Sequence, residues 1–386
     1  MNILYILDPA TTGGATEAFL SFIRSLQKDH VNAIICSSAD FPRKEELEGL
    51  PVRFITIGHC EMFTNRIKGH SFLSFKRRIK QKPRYVYHDL LALRTIIKNV
   101  RKEDIDIIHT NSSRSDVGFW LSMIWGKPHI VHLREFGDTD YEVLPLLPKW
   151  QFLYNHFSSR FICVSDAVRK HWENKGLDHN KMRVIYDGRE EELIPISQDS
   201  LKKEECLKLV IAGVIIESKG QHLVIEALKY LSEKVRNNLT LDLFGGCDES
   251  YKEALLNNWT EQGLPMEKIH FHGNRNDMLQ QYQHYDVGLM CSRSEGFGLV
   301  TAEYMFAQLG VIASDSGACP ELITDKVEGL LFKSGSAIDL ARAIEYYYNN
   351  RDIMIKNSHA ARNKALMVFT VSNNVKEVCR QYEQVL

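Results

Sequence analysis

The sequence predicts a two-domain α/β protein, each domain a doubly wound, mostly parallel sheet with helices on both faces. Three observations carry this. Short apolar runs alternate with helix-length amphipathic segments along nearly the whole chain, the pattern of repeated βα units. The alternation pauses in a polar stretch, Glu190–Cys206, and restarts at Leu207, as it does at a linker. With 386 residues, the chain is too long for one ordinary core.

In the first half, Asn2–Leu7 is an apolar strand. A polar loop with Gly13-Gly14 follows, then a helix over Thr16–Gln27 whose Leu20, Ile23 and Leu26 share a face. A strand, a glycine pair and a helix start can seat a phosphate, although a tight turn with no ligand fits the same residues equally well. The full nicotinamide fingerprint is missing. Strands are expected at Ala33–Cys36, Arg53–Gly58, Asp106–Thr110, His129–Leu133, Arg160–Ser165 and Met182–Gly188. A basic helical region precedes the third of these. Asn111-Ser112-Ser113 offers an N-cap for a helix ending at Trp125, Pro145–Phe157 reads as a further helix, and Ser165 caps the next. The strand His129–Leu133 carries His132, Arg134 and Glu135 at its end, and open α/β sheets bind ligands beyond the carboxyl ends of their strands.

The second half reads as strands Leu207–Ile215, Leu239–Phe244, Ile269–Gly273 and Val287–Cys291, alternating with helices Gln221–Leu231, Glu249–Gln262 and Asn276–Tyr285. Three amphipathic helices close the chain, over Ala337–Tyr348, Asp352–Met367 and Ser372–Leu386. Lys219-Gly220 places an ammonium at a helix N-terminus, where it can meet an anion. Gly245-Gly246 and His272-Gly273-Asn274 lie at the ends of consecutive strands, where backbone can come close to a ligand.

The segment Cys291–Ile323 organises this half. A strand end leads into Glu295-Gly296-Phe297-Gly298, then a helix over Leu299–Leu309 stopped by Gly310, then a second strand and a Pro320-Glu321 turn. Backbone N–H groups at such a helix start form an anion seat, and Glu295 and Glu303, eight residues apart, bracket it. This Glu-x7-Glu pattern, with its glycines and the following Ser314-Asp315-Ser316-Gly317, resembles the retaining group 4 (GT4) glycosyltransferases of the GT-B fold.

The resemblance covers nearly the whole chain, most tightly residues 207–335. It implies two Rossmann-like domains facing a cleft: an acceptor-side domain at 1–192, a nucleotide-sugar domain at 193–366, and a C-terminal helix, 367–386, crossing back onto the first domain. It implies that Gly13 and Gly14 face the donor diphosphate and that His132 contacts the donor sugar. Lys219 and the backbone of Gly296, Phe297, Gly298, Leu299 and Val300 then hold the diphosphate. The turn His272, Gly273, Asn274 reads the base, Glu303 takes the ribose hydroxyls, and Glu295 serves the sugar ring. One departure stands out: the family has Gly-Arg where this chain has Gly213-Val214, so one cation is missing, with Arg134 and Arg293 as candidate replacements.

The implied reaction moves a sugar, with retention, from a UDP- or GDP-sugar to a hydroxyl of a sugar or lipid-linked saccharide, in cell-surface polysaccharide or glycolipid assembly. A GT-B epimerase or phosphorylase, or a silent nucleotide-sugar-binding subunit, are the competing readings. A glycosidase has no use for a diphosphate cradle. No cofactor or metal is required on this reading, and the D-x-D pairs Asp104/Asp106 and Asp138/Asp140 are expected to be solvated or acceptor-side.

Composition narrows the rest. A net charge of −1 gives no global field for nucleic acid. Eight scattered cysteines without a C-x-x-C suggest buried free thiols. The start lacks the basic region of a signal peptide, and no apolar run approaches the ~20 residues of a membrane span, so a cytoplasmic protein is expected. Charge is uneven: residues 60–101 hold eleven Lys and Arg against Glu61 and Asp89, interrupted by Phe72, Leu73 and Phe75. Such a mixture fits either a solvated helix or peripheral contact with an anionic membrane at its inner face.

Overall fold

The computed structural model describes residues 1–7, 13–26, 31–39, 41, 44–58, 62–65, 71–137, 143–147, 149–190, 192, 194–197 and 205–386. The chain divides into two compact units, one of Met1–Gly188 with Val371–Leu386, the other of Arg189–Thr370. The sequence placed these divisions at 192/193 and 366/367.

The first unit contains β1 (Asn2–Ile6), α1 (Gly14–Leu26), β2 (Asn32–Ser37), α2 (Lys44–Glu48), β3 (Arg53–Thr56), β4 (Phe63–Asn65) and α3 (Ser71–Asn99). It continues through β5 (Ile107–Thr110), α4 (Val117–Trp125), β6 (His129–Leu133), β7 (Val143–Pro145), α5 (Trp150–Phe157), β8 (Arg160–Cys163), α6 (Asp166–Asn174) and β9 (Met182–Val184). Seven strands form a parallel sheet in the order β3-β2-β1-β5-β6-β8-β9, and β4 pairs with β7 antiparallel. Burial on both faces explains why β1 reads as a nearly continuous apolar run.

The second unit contains β10 (Leu207–Ala212), α7 (Gln221–Ala227), α8 (Glu233–Asn237), β11 (Leu239–Phe244), α9 (Glu249–Glu261), β12 (Ile269–Gly273), α10 (Met278–Gln281) and β13 (Val287–Met290). It ends with α11 (Leu299–Phe306), β14 (Gly310–Ser314), α12 (Cys319–Leu322), β15 (Leu330–Phe332), α13 (Ala337–Asn349) and α14 (Arg351–Val368). Its six parallel strands run β12-β11-β10-β13-β14-β15. The final helix, α15 (Val371–Val385), belongs to the first unit, where Val375, Val378 and Tyr382 join the core formed by α1 and β1.

Several local expectations shift. The helix ending at Trp125 starts at Val117, not at the Asn-Ser-Ser cap, because Asn111 accepts from Arg134 and Ser113 donates to Glu135. Pro145 closes β7, and the helix after it begins only at Trp150. The organising helix stops at Phe306: Gln308 takes a left-handed φ of 60°, and Gly310 opens β14 instead of capping. The region 276–285 is one short α-turn followed by a 3₁₀ turn. Ser165 does cap α6, accepting from the Val168 N–H at 3.1 Å.

Candidate donor-binding site

In each sheet the strand order reverses once, between β1 and β5 in the first unit and between β10 and β13 in the second. Loops leaving strands on either side of such a switch diverge and open a crevice at the carboxyl end. In the second unit these loops are 213–220 after β10 and 291–298 after β13.

The two loops are locked together by close backbone approach. Gly220 has φ 75°, and a Cβ there would lie 2.2 Å from the Cys291 carbonyl oxygen. The Arg293 N–H donates to the Ser218 carbonyl at 3.1 Å. This packing carries Lys219 to Glu295, with Nζ 2.5 Å from Oε1. The same oxygen accepts from Ser292 Oγ at 2.6 Å. Gly317 crowds the other side: with φ 57°, a Cβ there would lie 2.6 Å from the Glu295 nitrogen. Glu295 is therefore fixed in backbone and side chain, and the Lys219 side chain stays 36% exposed. An ammonium and a clamped carboxylate stand together beside the start of α11, whose first intrahelical bond runs from Thr301 N–H to the Gly298 carbonyl. The first N–H groups of a helix have no intrahelical partner.

Glu303 sits a turn deeper and is almost wholly buried. Its Oε1 accepts from Arg189, and its Oε2 accepts from the Tyr282 hydroxyl at 2.7 Å. A ribose hydroxyl would have to share these oxygens or displace a donor. Of the other residues named from sequence, Phe297 is buried edge-on against Phe369, 5.6 Å between ring centroids. Leu299 is buried, and Val300 is partly exposed in the first turn of α11. Gly273 and Asn274 follow β12, where Asn274 lies beside Gly246, and the His272 ring stacks on Phe244 at 4.3 Å.

The candidate cations differ. Arg293 is exposed and reaches Glu217 of the facing loop at 3.4 Å, while Val214, in the loop of Glu217, is half exposed. Arg134 belongs to the first unit, where it is buried and donates to Asp187 at 2.5 Å and to Asn111 at 2.9 Å. A guanidinium so committed is a structural counter-ion.

In the first unit, Gly13 precedes α1 and its carbonyl accepts from the Thr16 N–H. His132 lies one residue before the end of β6, buried and stacked on His109 at 5.5 Å, its Nε2 without a hydrogen-bond partner among the described residues. Burial, Arg134 and His109 hold its pKa well below the usual value, so the ring is neutral at pH 7. His109 donates to or accepts from Tyr382 of α15 at 2.6 Å, and Tyr382 in turn contacts Tyr5. Sequence reasoning missed this chain, as it missed Arg189, Tyr282 and Ser292. Each is an ordinary polar residue until a distant strand brings its partner.

The Asp104/Asp106 pair is divided: Asp104 is held by Arg101, and Asp106 accepts from the Asn2 N–H at 2.8 Å. Asp138 and Asp140 lie outside the described residues.

Two family models abut along this sequence: "Glycosyltransferase Family 4" over residues 12–193 and "Glycosyl transferases group 1" over residues 194–365. The chain belongs to the group 1, family 4-type glycosyltransferases. It is a glycosyltransferase. The transferase is 26% identical over 308 residues to the Campylobacter jejuni N,N'-diacetylbacillosaminyl-diphospho-undecaprenol alpha-1,3-N-acetylgalactosaminyltransferase, spanning 74% of this chain and 78% of that one. It is 26% identical over 309 residues to the Escherichia coli UDP-Gal:alpha-D-GlcNAc-diphosphoundecaprenol alpha-1,3-galactosyltransferase, spanning 75% and 78%. Among solved structures, Anabaena HepE in complex with UDP and glucose matches with a TM-score of 0.77 at 23% identity, over 100% of both chains. The fold is GT-B.

Proposed function

We propose that the transferase moves a sugar, with retention, from a nucleoside diphosphate sugar to a hydroxyl of a lipid-linked saccharide at the inner face of a membrane. The observation that carries this reading is the Lys219–Glu295 pair at the switch point, beside the start of α11. Charge accumulates on the departing diphosphate, and Lys219 with the helix-start N–H groups supplies fixed positive potential there. Glu295, clamped by Ser292 and Lys219, offers its remaining lone pairs to sugar hydroxyls and a negative charge beside the ring. His132, neutral and with no partner to Nε2 among the described residues, supplies one more hydrogen-bonding atom in the first unit. The acceptor class follows the two undecaprenyl-linked relatives. The reaction needs no metal on this reading.

Helix α3 supports contact with the membrane. Tyr85 donates to the buried Asp116 and anchors one face, while Ile79, Val86, Tyr87, Leu90, Leu91 and Ile97 stay exposed among cations that include Arg77, Lys80, Arg84 and Arg94. Apolar side chains between cations are what an anionic bilayer surface binds. The helix contains Pro83, and no helix among the described residues is long and apolar enough to cross a membrane.

The test is mass spectrometry of products from UDP- and GDP-sugars offered with polyprenyl-diphosphate saccharides, with and without EDTA. Extension of the acceptor by one hexose or N-acetylhexosamine, with the donor's anomeric configuration by NMR, is the expected result. Epimerised donor, or no extension with every donor, would overturn it, and loss of activity in EDTA would overturn the metal-free reading.

A further inference from the structure

Away from the switch point, three side chains of the second unit converge at the edge of its sheet. Asp242 on β11 and His270 and His272 on β12 bring a carboxylate oxygen and two imidazole nitrogens within 4.8 Å of one another. Asp242 Oδ1 lies 2.5 Å from His272 Nε2 and 3.4 Å from His270 Nδ1.

A fault in the strand pairing produces this. Asp242 pairs with His270 and Leu243 with Phe271, but Phe244 pairs with Gly273, so His272 is the extra residue of a bulge. Bulges re-aim side chains at sheet edges. Here the ring is fixed parallel to Phe244, with 12° between planes, and its Nε2 faces Asp242. The Tyr285 hydroxyl also donates to Asp242. A carboxylate oriented by an outer hydrogen bond and two imidazoles on one oxygen form a metal-ligand set with its supporting shell.

A proton shared between Asp242 and one histidine would satisfy that pair alone and leaves the second imidazole's approach to the same oxygen unexplained. Zinc with ligands at ~2.0–2.2 Å places its donor atoms about 3.3–3.5 Å apart, near the 3.4 Å contact. The shorter contact must open by side-chain rotation. The side chains of His270 and His272 are 44% and 30% exposed, which leaves an entry path and room for a water ligand. Two imidazoles and one carboxylate favour zinc, copper or nickel over magnesium or calcium.

We propose that Asp242, His270 and His272 bind one divalent transition-metal ion of the zinc class. The ion ties edge strand β12 to β11 just before the Gly273-Asn274 turn. The ion supplies no step of sugar transfer, and metal binding is read out separately from donor and acceptor chemistry.

Zinc chloride titrated calorimetrically into metal-stripped full-length protein should give one saturable equivalent. His270→Gln and Asp242→Asn should each weaken it by at least ~10-fold, and the exposed His284→Gln should not change it. Circular dichroism matching that of the parent protein establishes that the variants fold. Cobalt(II) should show visible d–d bands without the near-ultraviolet charge-transfer band of a thiolate. Absence of a saturable step, a step that survives in both variants, or a thiolate band would each overturn the proposal.

Discussion

Arg189 and Glu303 form a buried ion pair: Nε donates to Oε1 at 2.7 Å, with the side chains 11% and 5% exposed. Arg189 also stands where the chain enters the second unit, its N–H donating to the Phe369 carbonyl at 3.0 Å. Removing one partner of a buried pair strands the other charge. Arg189→Met should therefore cost about 3–5 kcal/mol in urea unfolding, and Arg189→Met with Glu303→Gln should recover part of that. If Glu303 also serves the ribose, Glu303→Gln should weaken nucleotide binding about 10-fold by calorimetry.

Glu295→Gln keeps the shape of the clamped side chain and removes its charge. Turnover should fall about 10- to 100-fold with a smaller change in donor affinity, since the charge acts beside a ring that becomes positive. Lys219→Met should instead weaken nucleoside diphosphate binding and spare the free nucleoside. Equal effects on both ligands would remove Lys219 from the phosphates.

Gly317→Ala tests the backbone of the same loop. A methyl group 2.6 Å from the Glu295 nitrogen cannot be accommodated in place, and φ 57° is itself unfavourable for alanine. The expected outcome is a turnover loss of at least about 10-fold with a stability cost of ~1–3 kcal/mol.

Three buried histidines make stability acid-sensitive. Burial drives His129 down to about 3, and the pKa values of His109 and His132 also lie well below the ordinary value. His129 is satisfied as a neutral ring between Thr110 and Ser158, at 2.9 and 3.1 Å. Below pH ~6.5 the unfolded chain binds protons that the folded chain refuses, so unfolding free energy falls as pH falls toward the folded values. The slope should approach ~4 kcal/mol per pH unit once all three unfolded histidines are charged, at ~1.4 each. Urea titrations at pH 7.5 and 5.5 measure it, and His129→Gln should reduce the difference.

Replacing Arg77, Lys80 and Arg84 by Gln should reduce sedimentation with anionic vesicles, at about 1 kcal/mol per cation near the surface, and added salt should do the same to the parent protein. Equal sedimentation with neutral vesicles would refute the electrostatic contact.

The periodicity of this sequence determined the two parallel sheets, because strands buried on both faces must be apolar throughout and the helices covering them must be amphipathic. It also determined the Glu295–Gly298 loop and Lys219, since glycines and a charged residue at strand ends are local signals for close approach and anion binding. Local patterns stop there. Only the tertiary structure decided that Arg134 is spent on Asp187, that Glu303 lies beneath Arg189 and Tyr282, and that a bulge turns His272 onto Asp242. Each pairing joins residues 21 to 114 positions apart. It depends on strand register, which a one-residue slip would abolish while leaving every apolar period in the sequence unchanged.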